Sequence, residues 1–393
     1  MRIITDDFTR HYKIINQNDD IVFSSCSEFQ LPNIHKYYEY VSTIDSLSVV
    51  YYNLTKRCNF NCTYCYSVHD NSTVSMENHH VILGKLKELN TKAITLIGGE
   101  PFCHPNFHSI LESCIACNFF DEICVVTNGS LIDDSMMHLY CNSRVVIQVS
   151  IDGIDECTNS KTRGKNHFDV VYNNIKKLVQ NGANVVVMKV LTRDNIGDSK
   201  EFYSFYKKQN INVGFFMVKQ VADTDKPNIQ QLKDLLDFIY DAESNDLIKT
   251  FQIVNFADNM MFHSLGFPIM HCGAGINALS IMPNGDIYPC VKKEKQGNLI
   301  TNIFNDTAID AIKANRQYMI NNDLVYKKDT CSECDIAYYC GGGCRAEENA
   351  SKQICVYNCE YFHFAKDYFL EKTLKNYADN NTKFHDNNCN VDK

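Results

Sequence analysis

The sequence predicts an α/β fold: an open, partial (β/α)6 TIM-like barrel, followed by a small cysteine-rich domain. Three observations lead to this prediction. Between residues 46 and 220, apolar runs of strand length alternate with amphipathic segments of helical period. Turns that contain Gly, Asn or Asp follow these runs, and the cysteines concentrate at 58–65 and at 272–359. Six strands separated by helices favour parallel βαβ units, and six units are too few to close an eight-stranded barrel.

The elements of the barrel are predicted in chain order from their hydrophobic periodicity. The segment 77–89 places its apolar residues at helical spacing. Asn181-Gly182 is typical of a helix C-terminus and ends the helix predicted at 168–180. Strands are predicted at 47–52, 93–97, 122–126, 145–150, 185–191 and 213–218, and further helices at 105–117, 133–140 and 199–209.

The chain outside the barrel divides by composition into four segments. Residues 1–45 show no clear period and are predicted to form short strands or a cap. Residues 221–271 are predicted to connect the barrel, through helical structure, to the cysteine-rich domain at 272–377, which ends in a closing helix. The tail, 378–393, is rich in Asn and Asp and is predicted to be disordered.

Composition and charge exclude several classes of partner. The net charge is -9, from 38 basic and 47 acidic residues, and there is no Lys/Arg-rich run, which argues against a nucleic-acid partner. No apolar stretch is long enough to span a membrane, and the first residues carry no secretory signal pattern. We therefore expect a cytoplasmic protein. In that compartment 19 cysteines indicate metal ligands rather than disulfides.

The segment Cys58-Asn-Phe-Asn-Cys62-Thr-Tyr-Cys65 places three cysteines in one short loop after the first strand of the barrel. Thiolates are soft anionic ligands, and three so close together can hold one metal centre. A [4Fe–4S] cluster takes four thiolates, so this loop would leave one iron open unless a distant cysteine binds it. A zinc loop is the alternative, although zinc sites usually consist of paired C-x2-C units.

This loop resembles the signature of the radical S-adenosylmethionine (SAM) enzymes, C-x3-C-x2-C with an aromatic residue, here Tyr64, before the third cysteine. The resemblance implies a [4Fe–4S] cluster whose open iron binds the amino and carboxylate groups of SAM. It also implies reductive cleavage of SAM to a 5′-deoxyadenosyl radical.

Polar motifs after later strands resemble the SAM-binding motifs of the same family. The alternative is that these motifs are ordinary turns whose polar side chains form hydrogen bonds with the backbone. The glycine pair permits close approach of a ligand, and the glutamate can accept from an ammonium group. The residues that the resemblance assigns to SAM are Gly98, Gly99, Glu100 and Pro101 for the amino group, Ser150 and Asp152 for the ribose and carboxylate, Arg163 for the carboxylate, and Asn128 in the same pocket.

The second cysteine group resembles the SPASM extension of radical SAM maturases, which holds two auxiliary [4Fe–4S] clusters. Two zinc sites are the alternative. The matching positions supply seven ligands, so the eighth is either Cys355 or an open iron. The resemblance assigns Cys272, Cys290 and Cys344 to the first auxiliary cluster, and Cys331, Cys334, Cys340 and Cys359 to the second.

The resemblance implies an enzyme that forms a thioether or C–C cross-link in a ribosomally made peptide. Formylglycine formation in a sulfatase, or other protein side-chain oxidation, is the alternative. Sulfatase maturases carry an aspartate directly after the cysteine that matches Cys290, whereas this chain has Val291. Two non-catalytic functions compete with this interpretation: an electron carrier and a zinc-structured binding module. An electron carrier would not need the polar turns that resemble SAM-binding motifs, and a zinc module would not need a six-unit barrel.

The expected partners follow from the same resemblance. They are a precursor peptide or protein substrate, an electron donor such as flavodoxin or ferredoxin, and a separate leader-binding protein. The barrel is predicted to begin at residue 46, so the leader-binding domain of many peptide maturases is expected to be absent or truncated. The leader would then bind elsewhere or be held by that separate protein.

Overall fold

A small antiparallel sheet begins the chain and consists of β1 (Arg2–Thr5), β2 (Tyr12–Ile15) and β3 (Ile21–Ser24). This agrees with the short strands predicted there. The protein is seen in a computed structural model, which describes residues 2–5, 12–15, 21–24, 46–219, 225–255, 271–328, 331, 334, 340–346, 359–372 and 375.

Six parallel strands, adjacent in chain order, form the centre of the main sheet and confirm the predicted six-unit barrel. Their parallel register aligns Val49 with Ala93, and each later strand pairs in parallel with the next, as in consecutive βαβ units. The strands are β4 (Val49–Asn53), β5 (Ala93–Ile97), β6 (Glu122–Thr127), β7 (Val145–Ser150), β8 (Asn184–Leu191) and β9 (Asn212–Met217).

The same sheet continues beyond both edges of the predicted barrel. β10 (Val254–Asn255) adds in parallel to β9, and β11 (Ala278–Ile281) adds in parallel to β4. β12 (Asp286–Tyr288) and β13 (Thr301–Asn302) follow as antiparallel strands. β11 lies in the segment predicted as the cysteine-rich domain, so that segment joins the barrel through backbone hydrogen bonds.

Helices cover one face of the sheet. Among them, α4 was missed by the sequence analysis because it has a polar, not an apolar, buried side formed by Asn159, Thr162 and Arg163. The helices are α1 (Met76–Glu88), α2 (Phe107–Ala116), α3 (Met137–Tyr140), α4 (Glu156–Arg163), α5 (Phe168–Gln180), α6 (Ser199–Lys207), α7 (Ile229–Ala242), α8 (Leu247–Ile253), α9 (Ala308–Asn322) and α10 (residues 359–372).

The two faces of the central strands differ in burial. In β7, Val145, Ile147 and Val149 are fully buried, while Gln148 and Ser150 on the other face are half-buried. The helices therefore seal the outer face, and the inner face stays partly open, as in a barrel with room for ligands. Within the described part of the chain, no helix has the length and apolar character needed to cross a membrane.

The glycine pair after β5 lets two backbone segments pass in close contact. The Gly99 N–H donates to the Thr55 carbonyl at 2.8 Å, and the Glu100 N–H donates to the Arg57 carbonyl at 2.7 Å. A Cβ added to Gly99 would lie 2.4 Å from the Arg57 carbonyl oxygen, which is backbone and cannot rotate away. The pair is thus required by the chain itself, whatever else it binds.

We therefore expect Gly99→Ala to lower the free energy of unfolding by about 1–3 kcal/mol, since the overpacked contact must shift backbone. Gly84→Ala is the matched control, because that glycine is exposed on α1 and a Cβ there meets nothing within 4 Å. It should stabilise the protein by about 0.5–1 kcal/mol through helix propensity. Urea unfolding measures both, and equal midpoints for the two variants would contradict the close-approach argument.

Candidate active site

The loop that carries Cys58, Cys62 and Cys65 is fixed through the residues between its cysteines. The Asn59 side chain accepts a hydrogen bond from Asn128 Nδ2, at the end of β6, at 2.8 Å. It also donates to the Ser130 hydroxyl at 2.8 Å. The Phe60 ring stacks on the His167 ring at the start of α5, with 3.6 Å between centroids and 16° between planes. The first half of the loop is therefore held by two separate elements.

The second half of the loop is held by α4 and by the end of β7. The Thr63 N–H donates to the Thr162 carbonyl at 3.0 Å. The Tyr64 hydroxyl donates to the Asp152 carboxylate, and the Arg163 guanidinium lies over the Tyr64 ring, 5.3 Å from its centroid. These anchors fix the path of the loop before any ligand binds, which keeps the thiols close together.

Asp152 connects these elements through one buried carboxylate, which is 1% exposed. Its Oδ2 accepts from Thr162 Oγ1 at 2.7 Å and from Arg163 Nε at 2.8 Å, besides Tyr64. Its Oδ1 accepts from the Val190 N–H at 3.0 Å, which ties in β8. Burial alone would raise the pKa of Asp152, but the Arg163 charge and these hydrogen bonds hold it below its usual value.

Arg163 shares this network with the cysteine loop. Its Nη1 lies 3.9 Å from the Cys62 sulfur, while its Nε and Nη2 donate to Asp152. Burial would lower the pKa of Arg163, yet the Asp152 carboxylate raises it, so the guanidinium stays charged. A fixed positive charge beside Cys62 favours the thiolate form that a metal cluster requires.

The three thiols suit an iron–sulfur cluster in number and environment. Cys58 and Cys62 are half-buried and Cys65 is exposed. The pKa of Cys58 is raised to about 11, by burial first and in part by Glu100 and Cys62. The pKa of Cys62 is also raised, by burial first and in part by Asp152 and Cys65. The thiols are thus close enough to perturb each other, and a bound metal would displace their protons.

Where residues are described, no three His, Cys, Asp or Glu side chains converge on a site for a single metal ion. A [4Fe–4S] cluster binds each cysteine through a different iron, so its ligands surround the cluster instead of converging on one point. The donor set of Cys58, Cys62 and Cys65 therefore fits such a cluster.

Glu100 is buried, at 1% exposed, and joins the ends of β5 and β6. Its Oε1 accepts from the Phe102 N–H at 3.1 Å and from Thr127 Oγ1 at 2.7 Å. Its Oε2 accepts from the Asn128 N–H at 2.7 Å. Burial outweighs these hydrogen bonds and raises the pKa of Glu100 to about 7.

The residues that the sequence analysis assigned to SAM therefore gather around one loop at the carboxyl edge of the sheet. Position 98 also requires glycine, because a Cβ there would lie 2.4 Å from the Thr55 carbonyl oxygen. Pro101 begins a short 3-10 turn, and Ser150 ends β7 on the half-open inner face. Their contacts with SAM stay predictions. Asn59 and Thr162 were missed by the sequence analysis. The polar composition of α4 was a signal that could have found Thr162.

The structure also brings together the three cysteines assigned to the first auxiliary cluster. Cys290 packs against Cys344 and Ala346 in a small buried group. The Cys272 thiol contributes to raising the pKa of Cys290, after burial. Burial would raise the pKa of Cys272 itself, but His271 and Arg345 bring it down to about 6. These thiols lie close together in a charged environment that suits thiolate ligands.

The four cysteines assigned to the second auxiliary cluster lie in different surroundings. The Cys334 N–H donates to the Cys331 carbonyl at 3.1 Å, as in a tight turn. Cys334 and Cys340 pack against the main core, and Cys359 is exposed at the start of α10. Their assignment to one cluster stays a prediction, and Cys355 lies outside the described residues.

The Asp152 network predicts a large stability effect. Asp152→Ala should lower the free energy of unfolding by about 3–5 kcal/mol at pH 7, because it leaves Arg163 buried without its partner. Asp134→Ala is the control, since the Lys177–Asp134 ion pair is exposed and worth at most about 1 kcal/mol.

Urea unfolding across pH adds a second readout. The folded pKa of Asp152 is lowered, so its contribution is present above the unfolded value of about 3.9 and is lost only as the pH falls further. This account would be contradicted if the difference in free energy of unfolding between wild type and Asp152→Ala stayed constant from neutral pH down to strong acid.

Comparison with known proteins agrees with this geometry. Residues 52–206 match the model of the radical SAM superfamily. The chain is 26% identical over 336 residues to the antilisterial bacteriocin subtilosin biosynthesis protein AlbA of Bacillus subtilis strain 168, covering 77% of this chain and 69% of that protein. It is 24% identical over 375 residues to the serine-type anaerobic sulfatase-maturating enzyme of Bacteroides thetaiotaomicron, covering 81% and 90%.

Two solved structures share the fold at low sequence identity. Streptococcus suis SuiB bound to precursor peptide SuiA has a TM-score of 0.65 at 17% identity, covering 83% of this chain and 78% of that one. The enzyme anSMEcpe with bound AdoMet has a TM-score of 0.67 at 18% identity, covering 85% and 96%. The matched barrel and its anchored three-cysteine loop lead to one conclusion: residues 52–206 of this chain form a radical SAM domain.

Proposed function

We propose that this protein is a radical SAM peptide maturase that installs a thioether or C–C cross-link in a ribosomally made peptide. The observation that supports it most is the pairing, in one chain, of an anchored three-cysteine loop with a second group formed by Cys272, Cys290 and Cys344. Relatives named for bacteriocin biosynthesis and a fold neighbour bound to a precursor peptide support the same substrate class.

The proposed cofactors are SAM, the [4Fe–4S] cluster on Cys58, Cys62 and Cys65, and two auxiliary [4Fe–4S] clusters. When bound, SAM and its cluster would supply a 5′-deoxyadenosyl radical that removes hydrogen from an unactivated C–H bond. The two auxiliary clusters would be held by Cys272, Cys290 and Cys344, and by Cys331, Cys334, Cys340 and Cys359.

Glu100 is suited to bind the SAM ammonium group. Each carboxylate oxygen accepts about two hydrogen bonds, and within the described residues Oε1 accepts from two donors while Oε2 accepts from one. An ammonium at Oε2 would favour the ionised carboxylate, which burial otherwise disfavours. Arg163 would meet the SAM carboxylate from beside Cys62, while Ser150 and Asn128 would line the same pocket.

The proposed partners are a peptide or protein substrate, a one-electron donor such as flavodoxin or ferredoxin, and a separate leader-binding protein. We place the protein in the reducing cytoplasm. A reducing compartment keeps thiols available as cluster ligands, which supports that location.

The central test is SAM cleavage by the anaerobically reconstituted protein. Replacing Cys58, Cys62 and Cys65 together with Ala should abolish formation of 5′-deoxyadenosine and leave the auxiliary iron in place, because the SAM cluster loses every ligand. Cys157→Ala is the control, since that thiol is exposed and lies outside both groups. Unchanged 5′-deoxyadenosine formation in the triple variant would refute the assignment. Iron and sulfide analysis of the same samples distinguishes iron–sulfur clusters from a zinc-structured module.

Formylglycine formation is the second candidate, and one observation favours it. Glu294 follows Val291 by three residues in the 3-10 helix Val291–Gln296, where residues three apart share a face. Both line a small cavity with Gly99, and Glu294 forms an ion pair with Lys56. Glu294 would then take the proton lost when a substrate Cys or Ser is oxidised.

This alternative has its own test. If it holds, incubation with a Cys- or Ser-containing sulfatase peptide gives an aldehyde, and Glu294→Gln loses the aldehyde while it keeps 5′-deoxyadenosine formation. Mass spectrometry of the peptide distinguishes the two candidate functions. A product that has lost two hydrogens and contains no aldehyde favours cross-linking.

A further inference from the structure

A charged cluster outside the barrel joins residues that are adjacent to two of the auxiliary cysteines. Asp323 directly follows α9, and its Oδ2 accepts from His271 Nε2 at 2.9 Å and from Arg345 Nε at 3.0 Å. Its Oδ1 pairs with Lys328 Nζ at 3.0 Å. His271 precedes Cys272 in the chain, and Arg345 follows Cys344, so one carboxylate connects the neighbours of two proposed ligands.

Arg345 is oriented by more than one bond to Asp323. Its Nη2 donates to the Asp323 carbonyl at 2.8 Å, so side chain and backbone of Asp323 form a fork around the guanidinium. Its Nη1 donates to the Gly342 carbonyl at 2.8 Å and to the Gly343 carbonyl at 3.2 Å. Arg345 is 3% exposed, so these bonds are shielded from water. The guanidinium therefore fixes the glycine turn that leads into Cys344.

His271 fixes the other cysteine in a similar way. Its side chain is 3% exposed, and its Nδ1 accepts from the Gly273 N–H at 3.0 Å, so the ring spans both sides of Cys272. The other ring nitrogen, Nε2, lies 2.9 Å from the Asp323 carboxylate. The position of Cys272 thus depends on the same carboxylate as that of Cys344.

We propose that Asp323 is a positioning residue for the first auxiliary cluster. Through His271 and Arg345 it holds Cys272 and Cys344 at the separation that the cluster needs, with Cys290 already packed against Cys344. Partners of metal ligands commonly act in this way, by orienting the ligand and tuning the metal. This proposal rests on the proposed function only in taking these cysteines as cluster ligands.

The test uses the full-length chain, reconstituted anaerobically, with four variants: Asp323→Ala, Asp323→Asn, Asp310→Ala and Cys290→Ala. Asp310 is exposed on α9 and serves as the control. Iron per chain, the electron paramagnetic resonance spectrum of the reduced auxiliary clusters, 5′-deoxyadenosine formation and the unfolding midpoint are measured for each.

Asp323→Ala should lose about one third of the bound iron, one cluster of three, and still cleave SAM. Asp323→Asn keeps an acceptor oxygen but not the charge, so it should keep its iron and shift the spectrum of one auxiliary cluster. Asp310→Ala should match wild type in every readout.

The proposal is overturned if both Asp323 variants keep full iron and an unchanged spectrum while their unfolding midpoint falls. Asp323 would then have only a structural role. If Asp323→Ala does not fold, the spectrum of Asp323→Asn alone decides. Full iron in Cys290→Ala would instead refute the cluster assignment, and with it the premise of both the proposed function and this inference.

Discussion

The buried carboxylate of Asp152 is the constraint on which the catalytic end of the barrel depends. It receives hydrogen bonds from the cysteine loop, from α4 and from β8, so a single group sets the distances among three elements. A buried charge is tolerated only when it is fully paired. That requirement makes the arrangement selective, because a shift of any one element would leave Asp152 or Arg163 without its partner.

The residues assigned to SAM serve the fold at the same time. Glu100 joins two strand ends, Asn128 holds Asn59, and the glycine pair allows two backbones to pass. A radical enzyme gains from this double use. In the proposed site these polar groups are fixed beforehand, so binding SAM would not need to order them, and preorganised dipoles cost no reorganisation during reaction.

Strand β11 joins the two halves of the protein in one sheet. Because it pairs with β4, the strand that leads into the three-cysteine loop, the hairpin β11–β12 carries Cys290 to the side of the barrel. Backbone hydrogen bonds along a shared sheet hold such a relation more rigidly than a flexible linker would. This pairing therefore sets where the proposed first auxiliary cluster lies relative to the three-cysteine loop.

The sequence by itself determined the six parallel units, the cysteine sets and the turns that follow the strands, because hydrophobic period and ligand spacing are local properties. It did not reveal α4, whose buried side is polar, or β11, whose four residues are too short for a periodic signal. Only the tertiary structure decided the partners of Asp152, Arg163 and Asp323. Those contacts join residues that are distant in the chain, for which a single sequence has no local signal.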